Sequence, residues 1–99
     1  MKTREESVKH LKDQLDRWNA DVAKWEAQAK SAKADMKARY EKELAGVRTQ
    51  QEKARYYLKL LEGASATAWG DFSKGADEAW DRMRKAVDQA RTHFEKVPR

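Results

Sequence analysis

Leu61-Glu62-Gly63-Ala64-Ser65-Ala66-Thr67-Ala68-Trp69 is the stretch where a chain otherwise written in helical periodicity changes direction. Gly63 suits the left-handed position at a helix C-terminus, where a residue without Cβ carries no steric penalty. Ser65 can cap the next helix by accepting a backbone N–H. These residues predict one reversal, with a helix over about 3–62 before it and a helix over about 66–97 after it. The inequality of the two arms is the most informative feature of the sequence.

In the first arm, apolar or small residues recur at Val8, Leu11, Leu15, Trp18, Val22, Trp25, Ala29, Ala32 and Met36 in alternating steps of three and four. This is the seam of a coiled coil. The rhythm then takes two steps of four, Met36 to Tyr40 to Leu44, before resuming at Val47, Gln51, Ala54, Leu58 and Leu61. Such a slip relaxes supercoiling without breaking a helix, and neither Pro nor Gly stands near it except Gly46. A continuous helix of about 60 residues would be about 90 Å long. Spaced opposite charges line its outer faces, among them Glu5 with Lys9, Glu26 with Lys30, and Asp35 with Arg39.

The second arm repeats every eleven residues: Ala68-Trp69-Gly70-Asp71-Phe72-Ser73-Lys74, Ala79-Trp80-Asp81-Arg82-Met83-Arg84-Lys85 and Ala90-Arg91-Thr92-His93-Phe94-Glu95-Lys96. Eleven residues in three turns drift little on a straight helix. The stripe Trp69, Phe72, Ala76, Trp80, Met83, Val87, Ala90, Phe94 and Val97 therefore faces one side. Gly70 and Gly75 weaken its first turns or permit close helix contact, and Pro98 ends it.

Folded back from Gly63, the shorter helix covers only residues 31 to 62 of the longer one. Leu44, Val47, Leu58 and Leu61 then pack against Trp69, Phe72, Trp80, Met83, Val87 and Phe94. Val8, Leu11, Leu15, Trp18, Val22 and Trp25 are left bare, and a soluble monomer does not tolerate so large an apolar patch, so these residues with Ala29, Ala32 and Met36 are expected at an interface between copies. The expected fold is all-α: a long-short antiparallel hairpin of which two copies form a four-helix rod, crossing near Ala29 and Ala32 with twofold symmetry. A parallel trimer and a three-helix chain broken near Ser31 are the alternatives.

Ninety-nine residues make one domain at most. Charged residues form 39% of the chain and mean hydropathy is −1.12, a composition of solvated helices once periodicity rules out disorder. Without cysteine there is neither a disulfide nor a thiolate metal site. No signal-peptide core follows Met1 and no run approaches a membrane span, so a cytoplasmic location is expected. The net charge of +5 divides into +2, +2 and +1 over successive thirds, so no basic block marks a nucleic-acid partner, and none is expected.

No motif carries chemistry. His10 and His93 stand on different helices, and no Glu-x-x-His of the di-iron type occurs. The four tryptophans, Trp18, Trp25, Trp69 and Trp80, lie on apolar stripes, which favours core packing over stacking on a ligand. No Gly-rich phosphate loop follows a strand, and Ser, His and acidic residues are too scattered for a triad. Neither an enzyme nor a cofactor is expected.

The segments Gln14-Leu15-Asp16-Arg17-Trp18-Asn19-Ala20, Ala68-Trp69-Gly70-Asp71 and Gly75-Ala76-Asp77-Glu78-Ala79-Trp80 resemble a group of short, mostly uncharacterised bacterial coiled-coil-domain proteins. That resemblance implies a helical hairpin and no activity. The eleven-residue repeat is also similar to the amphipathic helices of exchangeable apolipoproteins, which implies a lipid surface. The function expected from the sequence is a structural or protein-interaction module that self-associates, with an unidentified protein partner. Attachment to a membrane surface is the alternative, and weak polyanion binding the second.

Overall fold

The computed structural model describes residues 3–95. They form three helices of nearly equal length: α1 (Arg4–Lys30), α2 (Ala34–Glu62) and α3 (Ala66–Phe94). Three-residue connections make each helix antiparallel to the next. The result is an up-down-up bundle measuring 50 × 21 × 17 Å, in which α1 and α3 run parallel.

The all-α expectation holds, and the long helix over 3–62 does not. The chain turns back at Ser31, Ala32 and Lys33, which leave the helical conformation. Ser31 closes α1 by donating its Oγ hydroxyl to the carbonyls of Ala27 and Gln28 at 3.4 and 3.2 Å. Lys33 opens α2 in extended conformation without a side-chain cap. Between Ala29 and Leu44 no residue is buried, and Met36 lies on the surface. A turn here gives up no large apolar contact and brings the whole apolar face of α1 back onto α2 and α3. The four-helix rod of two chains is therefore replaced by a three-helix bundle of one.

The other ends follow local rules more closely. Thr3 caps α1, its Oγ1 accepting from the Glu6 N–H at 3.1 Å, and Ser65 caps α3 by accepting from the Ala68 N–H at 3.2 Å. Gly63 does close α2, but at φ −101° and not in the left-handed region, so its lack of a Cβ is not what makes the turn. The end of the second predicted helix at Val97, together with Pro98, falls outside the described residues.

The core is one cluster fed by all three helices. Leu15, Trp18, Val22, Trp25 and Ala29 come from α1, Leu44, Val47, Ala54, Leu58 and Leu61 from α2, and Ala76, Ala79, Trp80, Met83, Val87, Ala90 and Phe94 from α3. Gln51 is the buried polar member, and its amide donates to Asn19 Oδ1 on α1, which fixes the register of α1 against α2. Of the i,i+4 pairs expected on the outer face of the first arm, none forms among the described residues. Glu26 pairs instead with Arg48 across to α2 at 2.8 Å.

At Gly75 the backbone of α3 lies against the Tyr57 ring of α2, so a Cβ there would run into that ring. A Cβ at Gly46, by contrast, meets nothing within 4 Å. Gly46→Ala is therefore expected to raise stability by about 0.5–1 kcal/mol through helix propensity alone. Gly75→Ala is expected to lower it by about 1 kcal/mol, since overpacking typically costs about 1–3 kcal/mol against that gain. Urea unfolding followed by circular dichroism checks both, and equal signs at the two positions would refute the Tyr57 contact. Spin labels at Glu26 and Arg48, in labelled chains diluted with unlabelled ones, test the reversal. Along a continuous helix the two positions stand about 33 Å apart, whereas in the bundle they are adjacent, so a single long distance would restore the long helix.

Candidate interaction surface

Along the side where α2 and α3 meet, the helices leave a trough of about 780 Å³. Arg39, Lys42, Gly46 and Gln50 form one wall, Arg82, Lys85 and Gln89 the other, and Val47 and Ala86 lie between them. The trough continues past Arg82 into a hollow of about 310 Å³ bordered by Lys53, Tyr56, Tyr57, Gly75 and Glu78. On α2 the positions Arg39, Gly46, Gln50, Lys53 and Tyr57 each stand one residue before a seam residue, so they form the strip that flanks the buried seam on the α3 side.

Cations dominate this strip. Lys85 shares Asp81 with Arg84, at 3.0 and 2.6 Å, and His93 stands 3.5 Å from Glu43. Arg39, Lys42, Lys53 and Arg82 enter no ion pair among the described residues. Gln50 holds its Oε1 buried in the wall with no donor among the described residues.

Two smaller hollows lie elsewhere. At the end where α1 begins and α2 meets α3, Val8, Leu61 and Trp69 floor a space of about 550 Å³ rimmed by Arg4, Lys9, Lys12, Glu5 and Glu62. The Arg4 guanidinium sits over the Trp69 ring at 5.8 Å. Between α1 and α3, a cleft of about 330 Å³ gathers His10, Gln14, Asp77 and Asp81 around Trp18 and Trp80. Among the described residues no three His, Asp or Glu side chains converge on a point that could hold a metal ion, and no helix is long and apolar enough to cross a membrane.

The opposite end of α3 is held by a polar clasp onto α1. Arg91 reaches Asp21 at 2.7 Å and Glu95 at 3.3 Å while lying over the Trp25 ring at 5.6 Å. The hydrogen bond to Asp21 is the largest influence raising the guanidinium pKa above its ordinary value. The Trp25 indole N–H donates to Glu95 at 3.1 Å, and Gln28 donates to the Phe94 carbonyl at 3.0 Å. Each of these groups is engaged in joining helices.

Of the residues expected at an interface between copies, Leu15, Trp18, Val22, Trp25 and Ala29 are buried inside the single chain. Val8 and Leu11 pack against the core from its edge, Ala32 lies in the turn, and Met36 is exposed. The residues expected to join the hairpin are brought together: Leu44, Val47, Leu58 and Leu61 with Trp80, Met83, Val87 and Phe94, and Trp69 and Phe72 at the margin. The basic strip was missed because a charge count by thirds averages it away. Its signal is the +2 carried by α2 while α1 and α3 are neutral. Comparison of the chain with protein-family models, with curated proteins and with solved structures finds no match.

The Asp81 carboxyl is held below its ordinary value of 3.8, first by the hydrogen bond from Lys85, against opposing desolvation, and then by the charges of Lys85 and Arg84. A folded-state pKa below the unfolded one stabilises at pH above the unfolded value and loses that contribution as pH falls through the folded value. Asp81→Asn should thus lower the urea midpoint equally at pH 7 and pH 5, and the gap to the parent should close on acidification well below 3.8. A gap unchanged at low pH would mean that ionisation of Asp81 contributes nothing.

Proposed function

We propose that this chain is a non-catalytic protein-interaction module, a self-contained three-helix bundle that offers the groove between α2 and α3 to another protein. The observation that carries the reading is a division of labour. The apolar stripes of all three helices are used up inside one chain, whereas the open groove between α2 and α3 carries Arg39, Lys42, Lys53, Arg82 and Lys85 against Glu43 and Glu78. A core completed within one chain leaves the surface free for recognition, and a groove with a net excess of cations supplies complementarity and steering.

The bare apolar strip that called for a homodimer is covered by the chain itself, so the two-chain rod is not carried forward. A second copy remains one of the partners this reading admits, through Val8, Leu11 and Trp69 at the margin of the core. A lipid-surface role would require the bundle to open, because the stripes that would face lipid are its core. Polyanion binding is the second reading, and the groove cations favour it. A cytoplasmic location accords with these readings and rests on the sequence.

Site-specific photocrosslinking in cells tests the proposal, with the photoreactive residue placed at Gln89 in the groove, at Lys12 by the apolar hollow, or at Lys24 on the outer face of α1. Discrete protein adducts are expected from Gln89 and not from Lys24. Adducts at Lys12 with the chain itself would identify a second copy. Absence of protein adducts from both Gln89 and Lys12 would overturn the reading.

A further inference from the structure

We infer that the α2–α3 groove seats an acidic amphipathic helix of another protein. The inference rests on the interaction-module reading and names the chemistry of the partner. Charge is the first ground: Arg39, Lys42, Lys53, Arg82 and Lys85 face two carboxylates, Glu43 and Glu78, along the same walls. An anionic ligand is attracted along the whole strip. From Arg39 to Tyr56 the strip extends about 25 Å at the helical rise, which matches about five turns of a partner helix.

Shape is the second ground. The middle of the trough is lined by small or recessed residues: Gly46, beside which space is open, the buried Val47 and the half-buried Ala86. Small residues between two helices let a third backbone come close, with its apolar stripe downward and its acidic flanks against the cationic walls. This is the helix-in-groove mode of recognition.

Other anions fit less well. A single nucleic-acid strand binds without sequence preference by stacking its bases on aromatic rings. From Arg39 to Gln50 the trough presents only the His93 imidazole, which stands 3.5 Å from Glu43, and Tyr56 and Tyr57 border its far end. Glu43 and Glu78 would also stand against a backbone charged at every step. A bilayer is flat, and this strip is concave.

The test uses the full chain and four probes: a 20-residue helical peptide with a leucine-alanine stripe and glutamate flanks, the same peptide with lysine for glutamate, a 20-nucleotide oligothymidylate, and phosphatidylserine vesicles. Fluorescence anisotropy measures the first three and co-sedimentation the vesicles. The glutamate peptide is expected to bind most tightly, to shift the backbone amide resonances of Gly46 and Gln50, and to weaken as salt rises. Arg39→Glu with Arg82→Glu should weaken it by about tenfold or more, while Lys24→Glu leaves it nearly unchanged. Circular dichroism verifies that each variant stays helical, and Arg39→Gln with Arg82→Gln provides a milder pair. Equal binding of the lysine peptide, tighter binding of the oligonucleotide or vesicles, or resonance shifts confined to other faces would overturn the assignment. If no probe binds while Gln89 adducts persist in cells, the acidic helix is refuted and the interaction reading stands. Failure of every probe together with absence of adducts from both Gln89 and Lys12 refutes both.

Discussion

Phe94 stacks with two aromatic rings, Trp25 at 5.4 Å and Tyr40 at 4.5 Å between centroids, with interplanar angles of 12° and 29°. The rings come from α3, α1 and α2, so one stack ties all three helices together at the end where α1 turns into α2. That turn interrupts a helix, leaves the start of α2 without a side-chain cap, and has no glycine or proline to favour it. What stabilises it is tertiary. Stacked aromatic pairs contribute about 0.5–1.5 kcal/mol each beyond the area they bury. The clasp of Arg91, Asp21 and Glu95 closes over Trp25, which is fully buried. Were α1 to continue straight into α2, Trp25 and Tyr40 could not both reach one ring.

The same reversal decides where the surface is polar. Once α1 lies back on α2, Glu26 meets Arg48 and Asn19 meets Gln51, so the α1–α2 boundary is laced with paired groups. The α2–α3 boundary differs along its length. At Gly75 the backbone of α3 comes up to the Tyr57 ring, whereas nearer the other end the trough opens beside Gly46. Two glycines in one groove thus act in opposite ways, one by filling space with a neighbouring ring and the other by leaving it open. Cations without ion-pair partners remain where the trough opens.

The second arm was legible almost residue by residue. Its eleven-residue repeat matches a straight helix so closely that Ala76, Trp80, Met83, Val87, Ala90 and Phe94 all fall inside, as does the cap at Ser65. The first arm was legible in its faces but not in its continuity. Ala29, Ala32 and Met36 keep the three-and-four rhythm across the turn, yet only Ala29 is buried. Small or flexible residues satisfy a periodicity count whether or not anything packs on them. The slip at Tyr40 was the available signal: the phase changes because the seam of α1 ends at Ala29 and that of α2 starts afresh.

The sequence by itself determined the helical class, the buried face of each segment and the reversal before Ser65. These depend on local periodicity and capping, which act within a few residues. Tertiary structure decided for the break near Ser31, which the sequence left as an alternative, and alone decided the completion of the core within one chain and the gathering of Arg39, Lys42, Lys53, Arg82 and Lys85 along one groove. The physical reason is that a turn without special backbone geometry leaves only a weak local mark, here the phase slip at Tyr40. It is chosen by the apolar area and aromatic stacking gained between residues far apart in the chain, and charges on two helices become one surface only after those helices have been placed side by side.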